Sequence, residues 1–272
     1  MYTESVVKTI YLNNLTNNIE EIPKDKNVFV FDLDGTLAES KVNIDSEMGS
    51  LLAKLLIKGR VAIIGGASFE QMSSQLPDNI MKDNSLLNNL LLLPLDGGSF
   101  YKYQNNIWQE VYKHDLSLLQ RKAIGEAFAR AVGELGHVQP EKTYGVIIED
   151  RGGQTTWSAL GQEAPLSEKQ KWNKSENGLR FKIVSKLKEY IPDMEVRVAG
   201  LTSIDVTLKG IDKKFGIEQI EKYLNVSKTD IIFFGDVFEP EGNDYPALEA
   251  GALCYKVDSV QDTKNMIRYI LD

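Results

Sequence analysis

Asp32 and Asp34 flank Leu33 directly after the apolar run V-F-V-F (28–31), and Asp236 ends a second apolar run, I-I-F-F-G (231–235). The C-terminal end of a buried strand is where open α/β sheets place ligands. Two acids one residue apart can divide a reaction, one attacking as nucleophile and the other moving a proton. Three acids at one sheet edge repel one another, and Mg²⁺, which takes oxygen ligands, relieves that repulsion. Lys213, in G-I-D-K-K, and Gly65-Gly66 with Ser68, after V-A-I-I (61–64), are further candidates for the same edge. Each has a plain structural alternative. D-x-D at a strand end is commonly a turn and helix cap. Asp236 can be a turn residue, Lys213 a solvated charge, and the Gly65–Ser68 segment a strand-to-helix turn. Four such features, in this order and on these elements, are poorly explained as independent accidents.

The elements that must position these residues are legible in the hydrophobic pattern. Residues 28–32 and 61–64 read as buried strands, rich in β-branched and aromatic residues. Between them Asp45 reads as a helix N-cap and Gly59 as the stop. Met48, Leu51, Leu52, Leu55 and Leu56 repeat with helical period. Strand, helix, strand is a βαβ unit and predicts a parallel sheet. After Gly97-Gly98 the pattern changes to a helix over 115–135, strands over 144–149 and 154–160, a helix over 179–190, and a strand pair at 195–198 and 203–208. The last alternates strictly, Ile204, Val206 and Leu208 against Ser203, Asp205 and Thr207. Parallel-type elements resume with a helix over 217–224, strands over 231–236 and 252–257, and a short helix at 245–250 between those strands. The expected fold is α/β: a Rossmann-like parallel-sheet core from residues 28–102 and 208–272, with an α+β cap inserted as residues 103–207. Residues 1–27 read as an N-terminal extension, a short helix around Val6, Val7, Ile10 and Tyr11 followed by a tether.

Composition narrows the function classes. The 272 residues carry 31 Lys plus Arg against 39 Asp plus Glu, a formal charge of −8, which opposes a general nucleic-acid or anionic-membrane surface. One cysteine, Cys254, permits no internal disulfide, and two histidines, His114 and His137, cannot build a histidine-rich metal site. The most apolar run, Leu86 to Leu95, falls short of the ~20 residues that span a bilayer, and no signal peptide is legible. The expectation is a cytoplasmic enzyme with a small-molecule substrate and no nucleic-acid or membrane partner.

V-F-V-F-D-L-D-G-T-L resembles the first motif of the haloacid dehalogenase superfamily of phosphatases and phosphomutases. V-A-I-I-G-G-A-S resembles its second motif, Lys213 stands at the third, and F-F-G-D-V-F-E-P-E-G-N-D resembles the fourth. A-G-L-T-S-I-D-V with G-I-D-K-K, and E-D-R-G-G-Q-T-T-W-S-A-L-G-Q (149–162), resemble the eukaryotic-type phosphomannomutase branch. The similarity runs from residue 28 to the end. It implies Asp32 as the nucleophile that forms an aspartyl-phosphate and Asp34 as the general acid/base, its carbonyl a metal ligand. It implies Asp236 with Asp32 at Mg²⁺, Lys213 beside the phosphate, and Asn243 and Asp244 as their supports. Thr36, Gly66 and Ser68 would lie near the phosphate. In the cap, Arg151 would bind phosphate, and Ser203 and Asp205 the sugar hydroxyls. Lys41 and Lys169 stand where the branch has arginines, Gln162 where it ends S-P-x-G-R, and G-G-A-S replaces G-G-S-D.

A mutase must hold one phosphate of its substrate while the other meets the aspartate, so a missing arginine weakens the clamp. These departures rank a sugar-phosphate phosphatase first and a phosphomannomutase interconverting mannose 1- and 6-phosphate second. A non-catalytic phosphosugar-binding protein ranks third, because no motif residue is lost. The chain is expected as a monomer or as a homodimer through the cap.

Overall fold

The computed structural model describes residues 14–272 except residue 139, so the helix expected around residues 6–11 lies outside the described residues. The strands are β1 (Leu15–Thr16), β2 (Val28–Phe31), β3 (Arg60–Gly65), β4 (Leu90–Pro94), β5 (Ser99–Gln104), β6 (Ile107–Lys113), β7 (Ile148–Asp150), β8 (Gln154–Ser158), β9 (Met194–Ala199), β10 (Ser203–Leu208), β11 (Ile231–Gly235) and β12 (Leu253–Lys256). The helices are α1 (Ser46–Lys58), α2 (Phe69–Ser74), α3 (Asp78–Met81), α4 (Asn84–Leu87), α5 (Leu118–Glu134), α6 (Leu166–Tyr190), α7 (Lys213–Leu224), α8 (Tyr245–Ala250) and α9 (Val260–Leu271).

The larger sheet runs β1-β12-β11-β2-β3-β4-β5-β6, parallel from β1 to β4, with β5 and β6 added antiparallel. Its central strands are buried on both faces, which is why they read as unbroken apolar runs. Side chains alternate between the two helical layers. Phe29 and Phe31 of β2 pack with Leu52, Leu55 and Leu56 of α1 and Ile267 of α9. Val28 and Val30 pack on the other side, with Ile217 and Ile220 of α7 and Leu248 of α8. Phe31 stacks on Phe234 at 4.7 Å between centroids, so the strands that carry Asp32 and Asp236 are locked side by side. Asp45 caps α1 by accepting from the Met48 N–H, as its sequence position predicts. Leu55 is fully buried, and truncating such a leucine to alanine costs about 2–5 kcal/mol.

The smaller sheet runs β7-β8-β10-β9, all antiparallel. Trp157, Val196, Val198, Ile204 and Val206 face α5 and α6, forming a separate apolar core with Phe128, Ile183 and Leu187. The opposite face presents Thr156, Ser158, Ser203 and Asp205 to the C-terminal edge of the larger sheet.

Several expectations are corrected. Residues 107–113, expected in the cap, form β6 and pair with β5 in the larger sheet. Asn105 and Asn106 make the hairpin turn, both at positive φ (55° and 64°), a conformation asparagine tolerates. The chain therefore crosses to the cap near residues 114–117, not near 101–104. Residues 14–27 are not a loose tether. Leu15 and Thr16 pair with Cys254 and Tyr255, and the Glu21 carbonyl accepts from the Tyr255 hydroxyl at 2.7 Å. The helix expected over 179–190 begins at Leu166; its first half is polar apart from Leu166 and Trp172 and so shows no apolar periodicity. The strand expected over 144–149 is confined to residues 148–150, since Gly145, at φ 71°, makes a turn.

Candidate active site

The D-L-D-G-T turn is wound around one carbonyl. Leu33 O accepts from the N–H groups of Leu37 and Ala38 at 2.9 and 3.1 Å, and Gly35 N donates to Ala38 O at 2.7 Å. Gly35 has φ 94°, and a Cβ there would stand 2.4 Å from Asp236 Oδ2. Glycine is required twice, by backbone conformation and by the approach of the third acid.

Asp32 is buried at the end of β2, with its N–H donating to Phe234 O at 2.9 Å. Lys213, the first residue of α7 and 0% exposed, donates to Asp32 Oδ1 at 2.5 Å and to Asp244 Oδ1 at 2.6 Å. Asp244 Oδ2 accepts the N–H groups of Asp236 and Val237 at 2.9 Å each. Asp244 thus holds the turn after β11 and anchors the lysine, as the sequence suggests. Burial pulls the Lys213 amine toward neutrality, but the carboxylates of Asp244 and Asp32 outweigh it and hold its pKa well above the ordinary value. Burial pushes the Asp32 carboxyl up to about 7, against the pull of Lys213 and with Asp244 adding to the rise. Burial and then the charges of Asp244 and Asp32 raise Asp236 well above the carboxylate range.

Carboxylate oxygens of Asp32, Asp236 and Asp244 lie within 4.8 Å of one another. Asp244 is already committed to Lys213 and two backbone N–H groups, which leaves Asp32 and Asp236 as the acids free to take a cation. Asn243 adds a buried Oδ1 with no partner among the described residues. An all-oxygen set with mutually repelling acids and an orphaned amide oxygen fits Mg²⁺.

Across an open-sided cleft, the cap presents its polar face to these acids. Arg151, in the β7–β8 turn, donates to Gly66 O at 2.5 Å and to Glu149 Oε2 at 2.6 and 2.9 Å. Lys41 Nζ donates to Gln162 Oε1 at 2.8 Å, and Arg151 reaches the same oxygen at 3.4 Å. Lys169 Nζ donates to Ser40 Oγ at 3.1 Å. Burial, then the charge of Arg151, lowers the Lys41 pKa to about 8, and burial lowers that of Lys169. Ser203 and Asp205 line the same space, Asp205 Oδ1 accepting from Thr156 Oγ1 at 2.7 Å.

Thr36 and Ser68, expected near the phosphate, are not among the residues that line this space. Ser68 caps α2, accepting from Gln71 N at 3.2 Å, so its side chain serves the helix. Thr36 is fully buried, and its Oγ1 has no partner among the described residues. Gly66 does line the cleft, but its carbonyl accepts from Arg151 and Gln154, and a Cβ would stand 2.5 Å from Asp205 Oδ2. Its glycine is explained by the docking of the cap. Sequence reading missed Ser40, Thr156 and Asp96. The first two are ordinary hydroxyls whose roles come from packing. Asp96 carried a usable signal, an acid just past the apolar run of β4.

An aspartate pair at a parallel-sheet edge, a buried lysine between two acids and an inserted cap define a haloacid dehalogenase-type phosphotransfer enzyme. The comparisons narrow the class. The family model of eukaryotic phosphomannomutases matches residues 48–272, and the chain belongs to that family. It is 28% identical over 227 residues to the phosphomannomutase of Encephalitozoon cuniculi, covering 81% of this chain and 84% of that one. It is 26% identical to the phosphomannomutase of Saccharomyces cerevisiae over 251 residues, covering 90% and 94%. Among solved structures, an IMP-bound Plasmodium falciparum IMP-nucleotidase superposes with a TM-score of 0.73 at 17% identity. That match covers 98% of this chain and 71% of that one, and bears on fold alone. Among the described residues no helix is long and apolar enough to cross a membrane.

Proposed function

We propose that the chain is a phosphomutase that interconverts mannose 1-phosphate and mannose 6-phosphate. The observation that carries this reading is a cleft with a set of phosphate-binding residues at each end. Lys213 stands against Asp32 at one, and Lys41, Arg151 and Lys169 gather at the other. A mutase needs both, one to react with a phosphate and one to hold the other in place.

In this scheme a hexose 1,6-bisphosphate first loads the enzyme: an Asp32 oxygen attacks phosphorus, the bond from phosphorus to the sugar oxygen breaks, and Asp34 gives that oxygen its proton. Mannose 1-phosphate, held by its phosphate at the distal end, brings its C6 hydroxyl to the phospho-aspartate, Asp34 takes the hydroxyl proton, and the phosphoryl group passes to that oxygen. The resulting bisphosphate reverses, Asp32 takes the phosphoryl group from C1 while Asp34 protonates the leaving oxygen, and mannose 6-phosphate departs. Lys213 stays charged beside the nucleophile throughout and opposes the build-up of negative charge. Mg²⁺ held by Asp32, Asp236 and the Asp34 carbonyl would neutralise phosphoryl oxygens.

This order reverses the ranking that the missing arginine suggests. Gln162 is buried and accepts from both Lys41 and Arg151, so it gathers the cations instead of leaving a gap. Hydrolysis is the second reading, and it rests on Gln162 being neutral. The test incubates the protein with mannose 1-phosphate, Mg²⁺ and a hexose 1,6-bisphosphate, and measures mannose 6-phosphate and free phosphate together. Mannose 6-phosphate should dominate, and Asp32→Asn should abolish both products while keeping the fold. Free phosphate as the main product decides for the phosphatase.

A further inference from the structure

Asp96 is an acid for which neither the motifs nor the proposed chemistry gives a use. It lies just beyond β4, 5% exposed, and is one of three consecutive left-handed residues: Leu95 at φ 57°, Asp96 at 53° and Gly97 at 95°. Strain of this kind persists only where the surroundings hold it. Leu95 N donates to Ala67 O at 3.1 Å, Tyr112 Oη donates to Gly97 O at 2.9 Å, and a Cβ on Gly97 would stand 3.0 Å from Gly216 Cα. The turn is clamped between the loop after β3, β6 and α7, and the clamp aims Asp96 at the cap.

Asp96 has no cation partner among the described residues, and its Oδ1 meets no donor there. What it faces is another carboxyl, Asp205 of β10, with which it shares a hydrogen bond. Asp205 is held from another side by Thr156 Oγ1 at 2.7 Å, and its Oδ2 lies so close to Gly66 that a Cβ there would stand 2.5 Å away. Two carboxyls bond only if one is protonated, and the surroundings assign the proton. Burial raises the Asp96 carboxyl well above the carboxylate range, with the charge of Asp205 next. Asp32 and Asp244 add to that rise, and Lys213 opposes it. Burial raises the Asp205 carboxyl too, but Arg151, the Thr156 hydroxyl and the bond from Asp96 oppose that rise, while Asp96 has no such arginine or hydroxyl of its own among the described residues.

We propose that Asp96 is a positioning residue, a neutral acid on the core that donates its proton to Asp205 on the cap and fixes that carboxylate to accept sugar hydroxyls in the closed cleft. This rests on the sugar-phosphate reading above. Asp205 takes its working orientation only where the core turn meets it, so recognition of the sugar is tied to cap docking.

The test compares wild type, Asp96→Asn and Asp96→Gly on mannose 1-phosphate and on para-nitrophenyl phosphate, whose aryl group has no hydroxyls. Asparagine tolerates positive φ and keeps an N–H donor, and glycine tolerates it without a donor. The ratio of kcat/KM for the sugar phosphate to that for the aryl phosphate should fall about ten-fold or more in Asp96→Gly, through KM. Asp96→Asn should restore it. Equal ratios in all three proteins, or equal loss in both variants, overturn the proposal. Infrared difference spectra of Mg²⁺-loaded protein at neutral pH give a second measurement. Wild type should show a protonated-carboxyl band that Asp96→Asn lacks, and coincident spectra overturn the proposal. If wild type turns over the aryl ester but no sugar phosphate, the functional reading fails, and the infrared band alone decides whether Asp96 donates to Asp205.

Discussion

Lys41 reaches across from the turn after β2 and donates to Gln162 in the cap, Nζ to Oε1, at 2.8 Å. The contact places a neutral acceptor between the Lys41 amine and the Arg151 guanidinium, which meets the same oxygen. Two cations share one amide oxygen where the branch resembled by this sequence has a third cation. The distal pole is therefore less positive but more ordered than one built of arginines alone.

Gln162→Arg should destabilise the protein without anions, because the new guanidinium sits against Lys41 and Arg151. It should also tighten binding of a hexose bisphosphate. A charge-assisted bond to phosphate contributes about 1.5–3 kcal/mol, or about ten- to a hundred-fold in retention. Titration calorimetry with hexose 1,6-bisphosphate reads the affinity, and the ratio of isomerised sugar to free phosphate should rise with it. Weaker bisphosphate binding in the variant sinks this account of the pole.

Affinity for the sugar phosphate should fall as pH rises through about 8, where Lys41 loses its proton. The sign of the stability effect is opposite. Burial lowers the folded-state pKa below the unfolded value, so between about 8 and about 10.5 the unfolded chain binds more protons and folding gains stability. Lys41→Arg should flatten the pH dependence of KM across that range, because arginine stays protonated. An unaltered KM profile in the variant removes Lys41 from the clamp.

Replacing Lys213 by methionine keeps the bulk and removes the amine. Asp32 and Asp244 would then face each other buried and without a counter-ion. Breaking one side of a buried pair typically costs 3–5 kcal/mol, so about that much should be lost in urea unfolding at pH 7. The loss should shrink in Lys213→Met/Asp244→Asn, where one of the stranded charges is gone. A single variant as stable as wild type contradicts the buried triad.

Asp236→Asn should reverse its rank with conditions. In excess chelator the variant should melt above wild type, since the repulsion between Asp236 and Asp32 is removed. With saturating Mg²⁺ wild type should melt higher, because a cation that binds only the folded state stabilises it by mass action. Melting points that ignore Mg²⁺ in both proteins dissociate the acids from metal binding.

The acidic edge is legible in the sequence because it is local. Asp32, Asp34 and Asp236 follow unbroken apolar runs, and a parallel sheet buried on both faces leaves no other way to read V-F-V-F or I-I-F-F. The βαβ unit with Asp45 as its cap was legible for the same reason. The hairpin β5–β6 was not, although Asn105-Asn106 between aromatic runs signals a turn. Antiparallel strands added to a parallel sheet carry no cue to which sheet they join. The first half of α6 escaped because a polar helix has no periodicity to show. Ser68 shows a limit of local reading: a serine after two glycines reads equally as a phosphate contact and as a helix cap, and its bond from Gln71 N supports the cap.

Both crossings between core and cap abut one residue. His114 N donates to Gly98 O at 2.8 Å on the way out, and Ile211 Cγ2 stands 3.4 Å from where a Cβ on Gly98 would lie on the way back. The cap enters and leaves through a single doorway, and every strand of the larger sheet pairs without it. Asp32, Asp34 and Lys213 thus belong to a closed chassis, and the surface that faces Asp32 and Asp34 is a plug-in carried on it. Under the proposed function, whether a phosphoryl group ends on a sugar or on water would be decided in the exchangeable part, so one chassis could serve either outcome with those three residues unchanged.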